Sequence, residues 1–443
     1  MIVKTAEINK VILKLAIPNM ISNVVIPMLG MVDTAIAGYI GHDTNIAALT
    51  IGTTIFNFIY WNCAFLRMGT SGITAQAYGA GNLKECANML IRALWLACIM
   101  SFLLLIFQKP IGLLALRILQ GSDAVQQVAG EYFFIRIWAV PASITLFAIQ
   151  GWFIGMQDAK TPMLVAILSV FLNIVFSIIF VFGFDMGIAG IAWSTVGVQY
   201  VSLFIFCILW LVKYRSYRHY FDIKSSFHFK PVARFLQVNQ DIFLRTACVV
   251  VVYTFFTAAS ARFGDTILAT NALLMQLFTL FSYMADGFAY AGEALSGRLV
   301  GERNAPMLKR YIRLLLFWSL VIAFIYVTIY LLAWKEILTL FSPSDEVLRM
   351  AGQYIIWIIA VPLVGCMPFM IDGIMIGATQ TKLLRNTVFF ATLLFFGSFY
   401  ALAPIFGNDA LWIAFLIFLF SRGLLLYTCS DKLNAERIVN RRS

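Results

Sequence analysis

The chain has 443 residues, of which 61% are hydrophobic and 12% are charged, and its formal net charge at pH 7 is +11. So few charged side chains cannot cover a water-facing surface, which excludes a soluble enzyme, a disordered chain and a secreted disulfide scaffold. The composition therefore indicates an integral membrane protein. Its seven cysteines follow no metal-ligand spacing, and we expect them to be small apolar residues rather than disulfide bridges.

Twelve stretches with almost no charged residues follow one another along the chain, and each is close to the length that a helix needs to span a bilayer. They do not alternate between apolar and polar residues at the period of a strand, which favours helices over barrel strands. The charge-free stretches are residues 15–32, 46–66, 93–108, 137–157, 161–184, 186–212, 246–261, 266–285, 314–334, 350–371, 386–408 and 410–421. The shorter ones extend through a single charged residue, which is Asp33, Lys109, Arg245 or Arg422, and we predict twelve transmembrane helices, numbered 1 to 12 in chain order.

Lysine and arginine are distributed unevenly over the predicted loops. If the N-terminus is cytoplasmic, the cytoplasmic segments contain 24 of these residues and the outer loops contain 5. Positive residues accumulate on the cytoplasmic side of membrane proteins, so we predict a multi-pass protein of the cell (cytoplasmic) membrane with both termini cytoplasmic. The same basic residues would contact anionic lipid headgroups, and no motif points to nucleic-acid binding.

The two halves of the chain resemble each other at an offset near 222 residues. Gly155 matches Gly377, and Lys160 matches Lys382. Because each half has six helices, the repeats would be parallel and related by an axis along the membrane normal, as in some transporters. We therefore predict an all-α integral membrane fold of two pseudo-symmetric six-helix bundles. Its parts are a first lobe at 1–215, a cytoplasmic linker at 216–229 and a second lobe at 230–443.

Ionisable residues inside a membrane are costly, so each one is a candidate for function. Asp33 is predicted to end helix 1, after Pro18 and Pro27, which permit the helix to bend. At the repeat offset its counterpart is Phe255, so the lobes differ in chemistry here. We expect Asp33 to be buried with no fixed cation nearby, where a carboxyl group binds a proton readily at physiological pH. The alternative is a helix-end charge that reaches the outer interface.

Further ionisable residues border the charge-free stretches of the second lobe and are expected on the same helices. Asp241 and Arg245 are four residues apart, so they are expected to be able to pair with each other on one helix. Because an unpaired ion in hydrocarbon is unfavourable, we expect four residues of helices 7 and 8 to face the lobe interior or the cytoplasmic gate: Asp241, Arg245, Asp286 and Glu293. We also expect at least one carboxylate–arginine contact among these four or with Arg298. In the first lobe, Arg136 is expected near the outer end of helix 4, extending to the interface. The second-lobe candidates are Asp241, Arg245, Asp286, Glu293 and Asp372.

Several stretches resemble the multidrug and toxic compound extrusion (MATE) family, and within it the DinF-like branch. They are Pro18 and Asp33 of helix 1, the segment FLRMGTSGITAQAYGAGN at the end of helix 2, and DGFAYAGEALSGRLVG in helix 8. The resemblance covers essentially the whole chain. It implies efflux of mostly cationic, aromatic compounds, driven by protons or sodium ions.

The resemblance also implies roles for individual residues. Asp33 falls on the cation-coupling carboxylate of helix 1, Asn173 and Thr195 fall on polar residues of helices 5 and 6, and Tyr132 falls on a tyrosine of the same network. Ser177 departs from the pattern, because many members have aspartate at this position. Sodium prefers several charged oxygen ligands, so we predict proton coupling, with sodium at Asp33, Asn173 and Thr195 as the alternative.

We predict a secondary active antiporter that exports small organic compounds, often cationic and aromatic, in exchange for protons or sodium by alternating access. The alternative is a lipid-linked precursor flippase of the same broad superfamily, although such proteins usually have more spans and a strongly cationic cavity. The three histidines lie in predicted loops and form no catalytic or metal-binding motif, so we predict that the protein is not an enzyme and needs no cofactor. The expected partners are a small-molecule substrate and the bilayer, and the expected state is a monomer.

Overall fold

The computed structural model describes residues 4–40, 43–339, 345–429 and 436. The last residues of the predicted second lobe, apart from Glu436, therefore lie outside the described part of the chain. Within these ranges the secondary structure consists of sixteen α-helices joined by short 3₁₀ and π turns. The helices are α1 (Thr5–Tyr39), α2 (Asp43–Cys63), α3 (Phe65–Gly79), α4 (Leu83–Ile106), α5 (Gln108–Leu119), α6 (Asp123–Arg136), α7 (Val140–Gly155), α8 (Lys160–Ile178), α9 (Gly187–Lys213), α10 (Ile223–Ser226), α11 (Phe229–Ala261), α12 (Asp265–Gly301), α13 (Ala305–Thr339), α14 (Asp345–Gly377), α15 (Thr381–Phe406) and α16 (Asn408–Cys429).

Twelve helical segments of the described residues are long and apolar enough to cross a membrane, which confirms the predicted number. Two of them combine shorter helices. Helices α2 and α3 form the segment Thr44–Gly79, and α6 and α7 form Asp123–Gly155 around the 3₁₀ turn Ile137–Ala139. The predicted all-α integral membrane fold is therefore confirmed.

The chain divides into two compact units. The N-terminal unit contains Ile21–Tyr78 and Asn82–Leu236, whereas the C-terminal unit contains the described residues up to Met20, Gly79–Gly81 and the described residues from Gln237 onward. Helices α1, α3 and α11 each contribute residues to both units, α3 through Gly79 alone. All first-lobe candidate residues lie in the N-terminal unit, and all second-lobe candidates lie in the C-terminal unit.

A pair of glycines four residues apart brings two helix backbones into direct contact in each unit. In the N-terminal unit, a methyl group on Gly151 or Gly155 of α7 would overlap a backbone carbonyl oxygen of α3. In the C-terminal unit, Gly373 and Gly377 of α14 are equally close to carbonyl oxygens of α12. Both pairs form the small-xxx-small pattern that allows close helix packing in membranes, and they are separated by the repeat offset of 222 residues.

The segment after α9 is attached to one face of α4 in the N-terminal unit. The attachment residues of α4 recur every three or four positions, which places them on a single helix face. Their contacts are Lys84 Nζ with Asp222 Oδ2 at 2.9 Å, Asn88 Nδ2 with Ser225 Oγ at 3.0 Å, Arg92 Nε with the Ser226 carbonyl at 2.7 Å, and the ring of Trp95 with that of Phe227 at 5.5 Å. This part of the predicted linker is therefore packed against the unit that precedes it.

Asp222 links this segment to α4 and also starts helix α10. Its Oδ1 accepts a hydrogen bond from the backbone N–H of Ser225 at 3.1 Å, as an N-cap does. The hydrogen bond from Lys84 holds the pKa of the Asp222 carboxyl well below its usual range. Because the lowered pKa favours the ionised form, the contact is fully present at neutral pH and weakens as the pH falls below about 4.

Replacing Asp222 by alanine is expected to release the linker without unfolding either unit, because the substitution removes both the cap and the ion pair. At pH 7 the segment 214–227 of Asp222→Ala should be cleaved severalfold faster by a protease than that of the unsubstituted protein. Asp222→Asn, which keeps a capping oxygen but loses the charge, should fall between the two. Equal cleavage rates for all three proteins would contradict this description of the linker.

Candidate functional site

Asp33 is buried inside helix α1 of the N-terminal unit. The helix continues to Tyr39, so the prediction that Asp33 ends the helix was wrong. Only 2% of Asp33 is exposed, and its Oδ1 atom is buried without a hydrogen bond from any residue in the described ranges. A carboxylate that reaches the outer interface is not compatible with this burial. An acidic oxygen without a partner is instead able to receive a proton or a cation from outside the protein.

Arg136 lies in the same unit, and the expectation that it extends to the interface was wrong. Its side chain is buried because the transmembrane segment begins at Asp123, well before Arg136, and because the guanidinium finds partners in the protein. Nη1 donates a hydrogen bond to the hydroxyl of Tyr132. The guanidinium carbon lies 4.8 Å from the ring centre of Phe56 and 5.4 Å from that of Tyr132, within the range of cation–π contacts.

Helices α2 and α6 hold these side chains in place. Tyr132 and Arg136 are one turn apart on α6, whose first turn is capped by the hydroxyl of Ser122. The Tyr132 ring packs directly against the backbone of Gly52 on α2, where a methyl group would overlap it. One turn later on α2, Phe56 meets the Tyr132 ring edge-on at 6.5 Å between ring centres. The aromatic surface under Arg136 is therefore fixed by close helix packing.

Asp33 and Arg136 interact through their charges rather than through a direct bond. Electrostatic interactions connect Asp33 with Arg136 and Tyr132. Both side chains are described, yet no ion pair within 4 Å joins them, and the Nε atom of Arg136 is also buried without a partner. The expectation that Asp33 has no fixed cation nearby was therefore wrong, because Arg136 supplies one from α6.

Asn173 and Ser177 on α8 lie beside Ser194 on α9, and Thr195 is the next residue of α9. Ser177 Oγ and Ser194 Oγ are 2.6 Å apart, and Asn173 Nδ2 donates to Ser194 Oγ at 3.5 Å. Thr195 donates to the carbonyl of Ile191 on its own helix. None of these described side chains is hydrogen-bonded to Asp33, although the Oδ1 atom of Asn173 is buried without a partner. Asn173, Ser177 and Ser194 thus form a group of neutral hydroxyl and amide groups.

The C-terminal unit contains a buried triad of one carboxylate and two arginines. Asp372 on α14 accepts hydrogen bonds through Oδ2 from Arg245 on α11 and from Arg422 on α16. Their side chains are 5%, 12% and 2% exposed, respectively. The guanidinium of Arg422 also lies 5.3 Å from the ring centre of Phe418. Asp372 therefore joins three helices, and two cations already compensate its charge.

The expected pairing of Asp241 with Arg245 was wrong. Asp241 instead binds α15, because its Oδ1 accepts from Arg385 Nη1 at 2.7 Å and its Oδ2 accepts from the hydroxyl of Thr381 at 3.0 Å. The contact with α15 gives each carboxylate oxygen of Asp241 a hydrogen-bond donor. Arg245, one turn away on α11, does not bond to Asp241. Arg298 pairs with Glu302 at 2.7 Å.

Asp286 and Glu293 remain candidates in the C-terminal unit. Glu293 is 1% exposed, whereas Asp286 is partly buried and interacts electrostatically with Arg245. Asp241, Glu293 and Asp372 are thus buried, Arg245 and Asp286 are partly buried, and Arg245 pairs with Asp372, a residue outside the four for which a contact was predicted.

Comparison with known proteins decides the family. The MatE family model matches residues 18–179 and 242–399, which together are more than half of the chain. The chain belongs to the MATE family. One matched segment lies in each half of the sequence. Members of this family are transporters rather than enzymes.

Individual relatives cover nearly the whole of this MATE chain. DNA damage-inducible protein F of Escherichia coli is 36% identical over 94% of this chain and 91% of its own length. A probable multidrug resistance protein NorM of Pasteurella multocida is 22% identical over 96% of this chain and 94% of its own. The Vibrio cholerae MATE transporter VcmN, solved in a bent form, has the same fold, with a TM-score of 0.83, 16% identity and coverage of 98% and 99%.

Sequence reasoning missed several residues of this MATE site. Phe56 and Ser194 have side-chain types that are common in membrane helices, so no local signal separates them from their neighbours. Arg385 and Arg422 were counted among the basic residues of the cytoplasmic side, although both bind buried carboxylates. A signal existed for Arg136, because Tyr132 lies one helical turn before it and provides a hydroxyl within reach.

Proposed function

We propose that this MATE transporter is a secondary active antiporter that exports small organic compounds, often cationic and aromatic, in exchange for protons. Asp33 is the coupling residue in this proposal. The observation that carries it is a buried carboxylate in the N-terminal unit with one oxygen that has no partner among the described residues. By contrast, Asp241 and Asp372 in the C-terminal unit each form direct ion pairs with arginines.

Protons fit the N-terminal unit better than sodium ions. A sodium site formed by Asp33, Asn173 and Thr195 would contain a single carboxylate, whereas hard cations favour several charged oxygens. At position 177, where many family members have a second carboxylate, a serine bonds to Ser194 instead. A proton needs only one acceptor oxygen, so a lone carboxylate is sufficient for it.

The place of the protein in the cell is part of the proposal. We propose that it lies in the cytoplasmic membrane as a monomer, with both termini on the cytoplasmic side. The distribution of lysine and arginine, 24 on one side against 5 on the other, supports this orientation. Export of small organic compounds is preferred to the flipping of a lipid-linked precursor, because the matched family is MATE and one relative is named a probable multidrug resistance protein.

Transport into vesicles tests the coupling. The protein is reconstituted into liposomes, and ethidium, a fluorescent aromatic cation, is followed under an imposed pH gradient or an imposed sodium gradient. We expect the pH gradient alone to drive ethidium movement. Asp33→Asn should fold, bind ethidium and lose the pH-driven movement, because an amide cannot release a proton. Asp185→Asn is the matched control, because Asp185 is exposed and should transport normally. Normal pH-driven transport by Asp33→Asn would refute the assignment.

A further inference from the structure

We propose that Arg136 is the internal counter-ion of Asp33 and that it makes the site select protons over sodium ions. The inference rests on the proposed coupling role of Asp33. It concerns a residue that lies outside the group of coupling candidates predicted from the sequence. It also gives a function to a buried arginine that makes no ion pair within 4 Å with any residue of the described ranges.

Arg136 brings a permanent positive charge into the N-terminal unit. A guanidinium does not lose its proton at any physiological pH, and its burial is unfavourable unless another charge compensates it. The direct partners of Arg136 are the hydroxyl of Tyr132 and the rings of Phe56 and Tyr132. These partners are neutral, so they orient and stabilise the cation but do not cancel its charge.

The compensating charge comes from Asp33. The ionisable groups that interact electrostatically with Arg136 are Tyr132 on its own helix, Tyr60 on α2 and Asp33 on α1. Tyrosines are neutral near pH 7, so the carboxylate of Asp33 is the anion of this group. When Asp33 is ionised, the two side chains together carry no net charge. When Asp33 is protonated, the pair carries a single positive charge.

The contacts of Arg136 also keep the two charges apart. The hydrogen bond to Tyr132 and the ring of Phe56 hold the guanidinium on the α2–α6 side. The Oδ1 atom of Asp33 and the Nε atom of Arg136 both lack a hydrogen-bond partner within the described part of the chain. A direct ion pair would occupy the carboxylate oxygen. The observed arrangement supplies positive potential and leaves that oxygen open.

This geometry affects sodium and protons differently. The affinity of a site for sodium depends on electrostatic attraction by its oxygen ligands, so a nearby guanidinium removes much of that attraction. A proton instead forms a covalent O–H bond with the carboxylate oxygen, and the repulsion weakens this bond without preventing it. Proton uptake converts the carboxylate into a carboxylic acid and changes no other bond. Arg136 then keeps its hydroxyl and aromatic partners.

Sodium-dependent thermal stability of the purified full-length protein tests the inference without measuring transport. A cation that binds only the folded state raises the melting temperature. Melting is compared in sodium chloride and in choline chloride at equal ionic strength and constant pH. The unsubstituted protein should show no sodium-dependent shift. Arg136→Gln should gain a shift on the order of 2 °C in sodium chloride, because the carboxylate loses its counter-ion. The double variant Arg136→Gln with Asp33→Asn should lose that shift again.

Two results would overturn the inference. One is a folded Arg136→Gln that remains insensitive to sodium, and the other is a sodium shift in the unsubstituted protein that Asp33→Asn abolishes. Arg136→Lys is the conservative control, because it keeps the positive charge and should remain insensitive to sodium. If Arg136→Gln does not fold, the unsubstituted protein and Asp33→Asn decide the question. Loss of coupling at Asp33 is measured separately by vesicle transport, so failure of the proposed function and failure of this inference are distinguishable.

Discussion

Replacing Asp372 by asparagine should destabilise the C-terminal unit by roughly 3–5 kcal/mol, the usual effect of breaking a buried ion pair. The carboxylate is the shared acceptor of Arg245 and Arg422, and all three side chains are almost completely buried. An asparagine has nearly the same shape but no charge, so two guanidiniums would lose their counter-ion. We expect Asp372→Asn to melt well below the unsubstituted protein in detergent and to give little folded material.

Two variants separate loss of charge balance from loss of shape. Asp185→Asn removes an exposed carboxylate at a positive φ of 53° that asparagine tolerates, so its melting temperature should not change. The triple variant Arg245→Met, Asp372→Leu and Arg422→Met replaces all three charges with apolar groups, and it should recover most of the lost stability. An unchanged melting temperature for Asp372→Asn would show that the Asp372 carboxylate does not stabilise the unit by balancing the charges of Arg245 and Arg422.

Replacing Gly373 by leucine is expected to be the most damaging change at a helix contact. The position lies where α14 touches the carbonyl of Ala289 on α12, and even a single methyl group would overlap that oxygen. Nearby, Ser296 donates a hydrogen bond across the same contact to the carbonyl of Ile374 at 3.1 Å. The helices must separate to admit a larger side chain, so a loss of at least roughly 1–3 kcal/mol is expected. The measurement is the melting temperature of the purified variant.

Gly397 provides the matched control on α15. A methyl group there would meet no atom within 4 Å, so Gly397→Leu adds the same side chain without a collision. Leucine is also a better helix former than glycine, so stability should stay constant or rise slightly. If Gly373→Leu and Gly397→Leu melt at the same temperature, the close contact between α12 and α14 does not limit stability.

The number of spans was predictable from the sequence, but the partners of the buried charges were not. About 20 apolar residues in succession are enough to identify a membrane helix, because hydrocarbon excludes nearly everything else. An ion pair depends instead on which helices are neighbours. Asp241 and Arg385 are 144 residues apart, and Arg245 and Asp372 are 127 apart. The spacing of four between Asp241 and Arg245 is a local pattern that would allow them to pair. Each of them instead forms its ion pair with a residue on another helix.

The site in the N-terminal unit was predictable only in part. Asp33 could be identified as a candidate because a carboxylate in an apolar membrane helix is energetically unfavourable and is usually functional. Arg136 was assigned to a helix end because the charge-free stretch begins at residue 137, whereas the transmembrane segment begins at Asp123. A buried arginine supported by Tyr132 and Phe56 does not interrupt the helix, so a count of charges alone places the boundary too late.

Asp33 makes no direct ion pair within the described residues, whereas Asp241 and Asp372 are paired with arginines. This difference between the two units limits the substrate gradient that the protein could maintain. If Asp33 is the only group that exchanges a cation with the solution, each cycle can return at most one elementary charge through the membrane. One such charge provides about 2.3 kcal/mol at a potential of 100 mV, before any pH difference is added. At about 1.4 kcal/mol per factor of ten, that energy sustains an uncharged substrate at roughly a fifty-fold concentration ratio. Because Asp372 is bonded directly to two arginines, a second coupled charge in the C-terminal unit would have to come from another residue.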